Sequence, residues 1–515
     1  MSMDDERGIA LVLALFLMSI MSVLGASMMF LSQTETYASM NYRTMSQARY
    51  AAETGIQKAS NFLLDSSQYA IPGSVADPLS KYDRTVSPVT YNGQPVVLSA
   101  TSAQASNYPV GAVRDAFNNA FNTAPNGKLT AGLGTLTYTA YATLIAMQTF
   151  ESYGGGSAVV QTWQITGTGG LSGSRNATVE VVAVIETPKV SANSYAAFAT
   201  DNTCGALNFD GNVTINSYDS TSLAGAAVPT MSSSGGNVGT NGNLSISGSV
   251  DVQGNLYTPR TGVGACAAGA VDALTQIGHA SVGGSIVQLP TAVSYPTPVV
   301  PAVSPLAATG TINGAAGACA LIGLTAANCA ESGNDVTING HGSTLSLPFV
   351  TLGSHTNLIL VASSPSAQYN FNAIKLAGGS TVQVSATSPT QGVIFDVVGK
   401  NPDDSLIPTP IDFVGGTFAS VTGCPSCSNY DASMLQFVYA GTGEIDLTGN
   451  SGAATTFYAP NAEVVFSGTA DLYGSVLGKR IHNIGSGNIH YDRRLQHDFW
   501  VAGHAMQASF SWKRY

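Results

Sequence analysis

Ile9-Ala10-Leu11-Val12-Leu13-Ala14-Leu15-Phe16-Leu17-Met18-Ser19-Ile20-Met21-Ser22-Val23-Leu24-Gly25-Ala26-Ser27-Met28-Met29-Phe30-Leu31 carries no charge, and only Ser and Gly interrupt its apolar character. At about 1.5 Å of rise per residue, a helix of this length covers the roughly 30 Å of a hydrocarbon core. The eight residues before it, Met1-Ser2-Met3-Asp4-Asp5-Glu6-Arg7-Gly8, are short and acidic. A secretory signal would begin with basic residues, have a shorter apolar core and end on a small-x-small cleavage site. Leu24 spoils that site after Ala26. A membrane anchor is therefore the simplest expectation.

The helical pattern does not stop at Leu31. No proline occurs from Ser32 to Leu64, and Tyr37, Met40, Met45, Ala48, Ala51, Ala52, Ile56, Ala59 and Leu63 recur near i, i+3/i+4 spacing. Glu35, Asn41, Arg43, Gln47, Arg49, Glu53 and Lys58 take the other faces. One helix over 9–64 would be about 80 Å long, apolar all round in its first half and amphipathic in its second. The second half needs something to lie on. Leu136–Phe150, Ala158–Gly167 and Asn176–Glu186 are rich in Val, Thr, Tyr and Ile and are separated by glycine-rich turns, which predicts an antiparallel meander. Helix and meander together make a small α+β module. Residues 66–132 read mostly as loop, with a short helix at Val113–Phe121.

Composition bounds the remainder. Of 515 residues only 10% are charged, 56 are Gly and 44% are hydrophobic, with a formal net charge of −11. Between Cys204 and Gly478 the only basic side chains are Arg260, Lys375 and Lys400, so the footprint a nucleic-acid binder needs is missing there. From about Thr200 to Tyr491, short alternating apolar runs are broken by Gly, Asn and Ser. Asn243–Leu256, Leu358–Ala362, Gly392–Val398 and Gly443–Leu447 are examples. Strands this short and numerous predict stacked rungs, and a right-handed parallel β-helix is the first expectation. An adhesin-like β-sandwich is the second, since the same alternation serves both. Pro290–Leu306, with five prolines, reads as a loop crossing outside the rungs or a linker, and the aromatic, basic end His497–Tyr515 as a cap or fold-back strand.

The six cysteines all lie beyond residue 200. An even count after an export-type N-terminus favours disulfides, and proximity favours Cys204–Cys266, Cys319–Cys329 and Cys424–Cys427. The last pair has CxxC spacing, but no βαβ pattern surrounds it and no second CxxC completes a zinc site.

Two N-terminal segments carry a resemblance. Arg7-Gly8 before Ile9-Ala10-Leu11-Val12-Leu13-Ala14-Leu15, followed by Gln47-Ala48-Arg49-Tyr50-Ala51-Ala52-Glu53-Thr54-Gly55-Ile56, resembles the start of PilX-type minor type IV pilins. The resemblance covers about the first 65 residues. It implies cleavage by a prepilin peptidase between Gly8 and Ile9, residence in the inner membrane before assembly, and packing of the freed helix against other pilins in a filament at the cell surface. Major pilins usually carry Glu at the fifth mature position, where it neutralises a neighbour's terminal amine. Here that position is Leu13, and an unpaired charge in lipid is costly, so the sharper expectation is a tip or initiating subunit; the alternative is that many minor subunits simply tolerate Leu there. The run from Tyr458-Ala-Pro-Asn-Ala-Glu-Val to His490-Tyr-Asp also resembles a C-terminal domain often fused to such N-termini, for which no activity carries over.

The expected organisation is a leader at 1–8, a long helix at 9–64 spanning the membrane with 9–31, a pilin-like antiparallel sheet region at 65–195, and a β-helix domain with a C-terminal cap at 196–515. The expected function is a minor pilin that helps assembly or presents a surface for adhesion, with a surface or glycan ligand as the further partner class. No cofactor is expected. The competing expectation is a membrane-tethered polysaccharide enzyme. Its candidates are Asp403–Asp404 with Gly340-His341-Gly342 and Arg480-Ile481-His482, fragments similar to a polygalacturonase pattern but in the wrong order. Asp403 and Asp404 also suit a turn. His490, Asp492, His497 and Asp498 suit a metal site only if they converge and otherwise a surface polar cluster, and Asp210, Asn216 and Asp219 suit a calcium loop or an Asx turn; the polar cluster and the turn are the expectation.

Overall fold

The computed structural model describes residues 3–65, 67–122, 128–131, 134–173, 176–259, 272–276, 278–289, 292–301, 310–364, 366–414, 417–449, 452–469, 471–503 and 506–514. The chain divides into two compact units. One comprises 1–149, 159–188 and 505–515, the other 150–158 and 189–504.

The first unit begins with a single helix, Met3–Leu64. Its burial starts at Thr44, not at Tyr37 or Met40, which are both exposed. Ala48, Ala51, Ala52, Ile56, Ala59, Phe62 and Leu63 are buried in one cluster with Leu136, Ala140, Val159, Ile165, Val179, Val181 and Ile185. Small residues on both sides allow close approach. A Cβ on Gly169 would lie 2.0 Å from the Ala48 carbonyl oxygen, and one on Gly167 2.5 Å from that of Ala52. The sheet runs Val97–Ser99, Gly134–Glu151, Ser157–Gly173, Ala177–Glu186, Met506–Arg514. Alternation along Ala177–Glu186 puts Val179, Val181, Ala183 and Ile185 on the buried face. Gly111–Asn122 forms the short second helix.

The last strand corrects the expected boundary at the C-terminus. Met506–Arg514 pairs antiparallel with Ala177–Glu186 and completes the first unit's sheet, so 196–515 is not one continuous domain. Pairing to a strand more than 300 residues earlier leaves no local signal, which is why the aromatic tail read only as a cap or fold-back.

The second unit is a 25-stranded sheet in which every described ladder is parallel except the hairpin Cys329–Ser332 with Asp335–Ile338. Its rungs are not stacked in simple chain order. Ala197–Ala199 pairs on one side with Val238–Thr240, which leads through Leu256–Thr258 to Ile286–Gln288. On its other side it pairs with Leu472–Asn483. From there the ladder runs back through Ala453–Gly468, Leu435–Tyr439, Val393–Val397 and Ala367–Leu376 to Leu345–Leu352. The chain thus enters mid-stack, climbs to one end, restarts at the other and climbs back until its last rung lies on its first. Residues 292–301 belong to the crossing segment and pass outside the rungs. Tyr295 is buried against Phe198, and Tyr458 donates to the Pro296 carbonyl at 2.7 Å.

Inside the stack Phe395, Phe437 and Phe457 occupy one register column, with ring centroids 4.8 and 5.1 Å apart. Each buried phenyl contributes about 1.5–3 kcal/mol through area removed from water. A second column consists of turn glycines. Cβ atoms on Gly485, Gly211, Gly248 and Gly278 would each fall within 2.0 Å of a carbonyl oxygen on the rung beneath. Near the rung that starts at Leu345, the helix Ala318–Leu321 and the bond Cys319–Cys329 bury Ala318, Cys319, Ile322 and Cys329.

Candidate functional site: the exposed apolar helix

Every residue from Ile9 to Arg43 is exposed, including Ile9 at 62% and Leu13 at 57%. By length and composition this helix can cross a membrane. Four of its hydroxyls are met internally. Ser22 donates to the Met18 carbonyl, Ser27 to Val23, Thr34 to Phe30 and Thr36 to Ser32, each at 2.8 Å. Within Ile9–Leu31 the bonds from Ser22 and Ser27 leave those two hydroxyls without need of water, so they interrupt the apolar surface little. After Leu31 charge returns at Glu35 and Arg43, and among the described residues the first ion pair on the helix is Arg49–Glu53 at 2.7 Å, where the helix has begun to bury. The helix continues through Gly8 and Ile9 without a break. With Leu13 at its position, Ile9–Leu31 presents no charged side chain, and its exposed surface suits apolar packing.

The cysteines lie elsewhere. Cys319–Cys329 and Cys424–Cys427 are disulfides, with Cα atoms 5.7 and 5.3 Å apart. Cys204 is also disulfide-bonded, and Cys266 lies outside the described residues.

The hydrolase candidates are each engaged locally. Asp403 accepts from the Ser405 amide and Asp404 pairs with Lys400 at 2.8 Å, both in one exposed turn. His341 Nε2 lies 2.9 Å from the Ala327 carbonyl oxygen. Arg480 pairs with Asp201 at 2.9 Å and His482 with Asp210 at 2.7 Å. The calcium-loop residues also go separate ways: Asp210 accepts from Ser247, Asn216 meets His490, and Asp219 caps the turn at Ser220–Ser222. Among the described residues, no group of three or more His, Cys, Asp or Glu side chains is placed to hold a metal ion.

The His490–Asp498 segment differs from a surface polar cluster. His490 and Asp492 are buried. Asp492 accepts from the Ser220 amide at 3.1 Å and the Ser220 hydroxyl at 2.6 Å, and burial pushes its carboxyl up to about 6. Neighbouring Asp431 is buried too and pairs with Arg494. Asp396 is a third buried carboxylate, pushed up by burial to about 7. Its signal in the sequence is a lone charge inside the apolar run Val393-Ile394-Phe395-Asp396-Val397.

Comparison with known proteins gives two family matches. Residues 7–57 match the PilX N-terminal family, and residues 412–498 match a domain of unknown function, DUF7305. A search of curated proteins finds no match. Among solved structures, the chain is similar to the competence-associated pilin ComZ from Thermus thermophilus at 13% identity, over 91% of this chain and 97% of that one. The TM-score is 0.23, too low to establish a shared fold. The whole exposed apolar stretch lies within the segment that matches the PilX N-terminal family.

Proposed function

We propose that this chain is a minor type IV pilin or pilus-like subunit. Prepilin peptidase cuts between Gly8 and Ile9, the helix resides in the inner membrane, and it then leaves the lipid to pack against the helices of other pilins. The observation that carries this reading is the unbroken exposure of Ile9–Arg43 in a segment that matches the PilX N-terminal family. An apolar helix face of this length is stable in water only when something covers it. Lipid covers it before assembly and sister helices afterwards.

Leu13 extends the proposal to position. Without a carboxylate there, the subunit offers no partner to the terminal amine of an adjacent one, which suits a tip or initiating place. The second unit is then the displayed part. We take its parallel rungs as a right-handed β-helix that meets a surface or a glycan outside the cell.

The test is mass spectrometry of the mature N-terminus from surface-sheared filaments. A chain beginning at Ile9, lost from filaments in a Gly8→Val variant, supports the reading. A surface chain that retains Met1, or normal display of Gly8→Val, overturns it.

A further inference from the structure

The strands Ala453–Gly468 and Leu472–Asn483 fall out of step at one corner of the second unit's stack. Ala459 lies opposite Gly478 and Glu463 opposite Arg480, so Pro460, Asn461 and Ala462 face Lys479 alone. Bulges of this kind re-aim side chains and often border functional sites. Here Pro460, Asn461 and Lys479 line a cavity of about 340 Å³. Its other walls are Thr200, Asp201 and Asn202, which follow Ala197–Ala199, together with Asn241 and Ala292.

We propose that this cavity binds one acidic sugar unit of a polysaccharide, with Lys479 on the anionic group and Asn202 and Asn461 on the ring hydroxyls.

The walls are fixed before a ligand arrives. Asn241 is buried; its Nδ2 donates to the carbonyls of Thr200 at 3.0 Å and Val293 at 2.7 Å, and its Oδ1 accepts from the Val293 amide at 2.7 Å. These bonds hold the start of the crossing segment against the rungs. The Thr200 hydroxyl donates to the Pro460 carbonyl at 2.7 Å and ties down the bulge. The amides of Thr200 and Asp201 donate to the carbonyls of Gly478 and Lys479, each at 2.9 Å. A cavity held in this way spends little ordering entropy on binding.

Charge decides the ligand class. Asp201 is the acid on the described lining, and Arg480 Nε meets its Oδ2 at 2.9 Å, which balances it. Lys479 is exposed and has no carboxylate partner among the described ion pairs. The cavity thus presents one uncompensated positive charge, the complement of a single anionic group. Asn461 Nδ2 donates to the Ala440 carbonyl at 3.0 Å and to Thr297 Oγ1 at 3.2 Å, which fixes the amide and leaves Oδ1 to accept from a hydroxyl. Asn202 is exposed and can both donate and accept. Among the described residues no aromatic side chain lines the cavity, so a neutral sugar finds no ring to stack on. The volume lies in the range of small-ligand pockets and exceeds what a lone inorganic anion fills.

This inference rests on the reading of the second unit as the displayed part. Its test uses the purified full-length protein in detergent, so its failure is distinct from failure of the pilin reading, which is read at the mature N-terminus. Calorimetric titrations use trigalacturonate and galactose 6-sulfate as acidic probes, with galactotriose and galactose as their neutral counterparts. Saturable binding of either acidic probe, one per chain and at least about tenfold tighter than its neutral counterpart, is expected. Lys479→Met should weaken it at least about tenfold and Asn202→Ala about threefold. Lys400→Met removes an equal charge from an exposed turn outside the cavity and should bind as the parent does. Binding of neither acidic probe overturns the proposal, as does equal binding of the neutral counterparts or full binding by Lys479→Met.

Discussion

Gly211 abuts the carbonyl oxygen of Gly485: a Cβ on Gly211 would lie 1.4 Å from it. The two residues come from opposite ends of the second unit's chain, and their contact is the seam where the last rung rests on the first. Parallel pairing of Ala197–Ala199, Leu207–Phe209 and Asn212–Tyr218 with the C-terminal strands continues on both sides of it. The stack is therefore closed by its own C-terminal rungs, and each half covers an open end of the other.

Gly211→Ala forces a methyl into that carbonyl, against the backbone of Gly485 with no flexible side chain to give way. The expected loss is more than about 3 kcal/mol, read as a lower midpoint in denaturant. Gly310→Ala is the control, since nothing lies within 4 Å of its position; its change should stay within about 0.5 kcal/mol. Similar losses for both would mean that the seam carries no special load.

Much of this architecture is legible in the sequence, because it rests on local periodicity. The long helix, the three meander strands and the short rungs each follow from spacing and turn residues. The turn glycines Gly211, Gly248, Gly278 and Gly485 are visible as well, but no constant repeat connects them, because the intervening loops differ in length. Sequence order cannot show that Leu472–Asn483 returns to Ala197, or that Met506–Arg514 returns to Ala177–Glu186, since neither has a local partner signal. At the helix, the apolar run is plain, whereas the point where burial begins, Thr44, depends on where Gly167 and Gly169 meet it. The buried carboxylates show only as charges in apolar runs, and such charges also occur on solvent faces.

Gly169→Val tests that helix contact. A side chain there meets the Ala48 oxygen at 2.0 Å and the Ala52 nitrogen at 2.4 Å, both helix backbone. The helix must move away or the strand must bend, and loss of about 3 kcal/mol or more is expected. Hydrogen exchange should show the amides of Ala48–Ala59 losing protection while those of Leu435–Tyr439 keep theirs. Unchanged protection of the helix would count against the close contact.

The two described disulfides should differ in worth. Closing a ten-residue separation, as Cys319–Cys329 does, constrains the unfolded chain by about 3 kcal/mol; the separation of 3 in Cys424–Cys427 constrains it by about 2 kcal/mol. Paired Cys→Ala variants measured in denaturant give the comparison. A larger loss at Cys424–Cys427 would contradict the loop-entropy account.

The buried carboxylates set a direction for stability against pH. Burial raises Asp492 from 3.8 to about 6 and Asp396 to about 7. The folded chain therefore holds protons that the unfolded chain has released, from 3.8 up to about 6 at Asp492 and up to about 7 at Asp396. The contribution is fully present below 3.8 and is lost as pH rises through about 6 and then about 7. Asp201 and Asp210 have the opposite sign: their folded values are lowered, Asp201 by Arg480 and Thr203 against burial and Asp210 chiefly by Ser247 and His482, so their contribution is lost only as pH falls below the ordinary carboxylate range. The protein should thus show a thermal midpoint that declines from about pH 5 to about pH 8. Asp396→Asn removes the charge that forms near the upper end, so the curve of that variant should flatten there while keeping its fall near 6. A midpoint that climbs with pH across this window would show that the carboxylates are compensated in the folded chain.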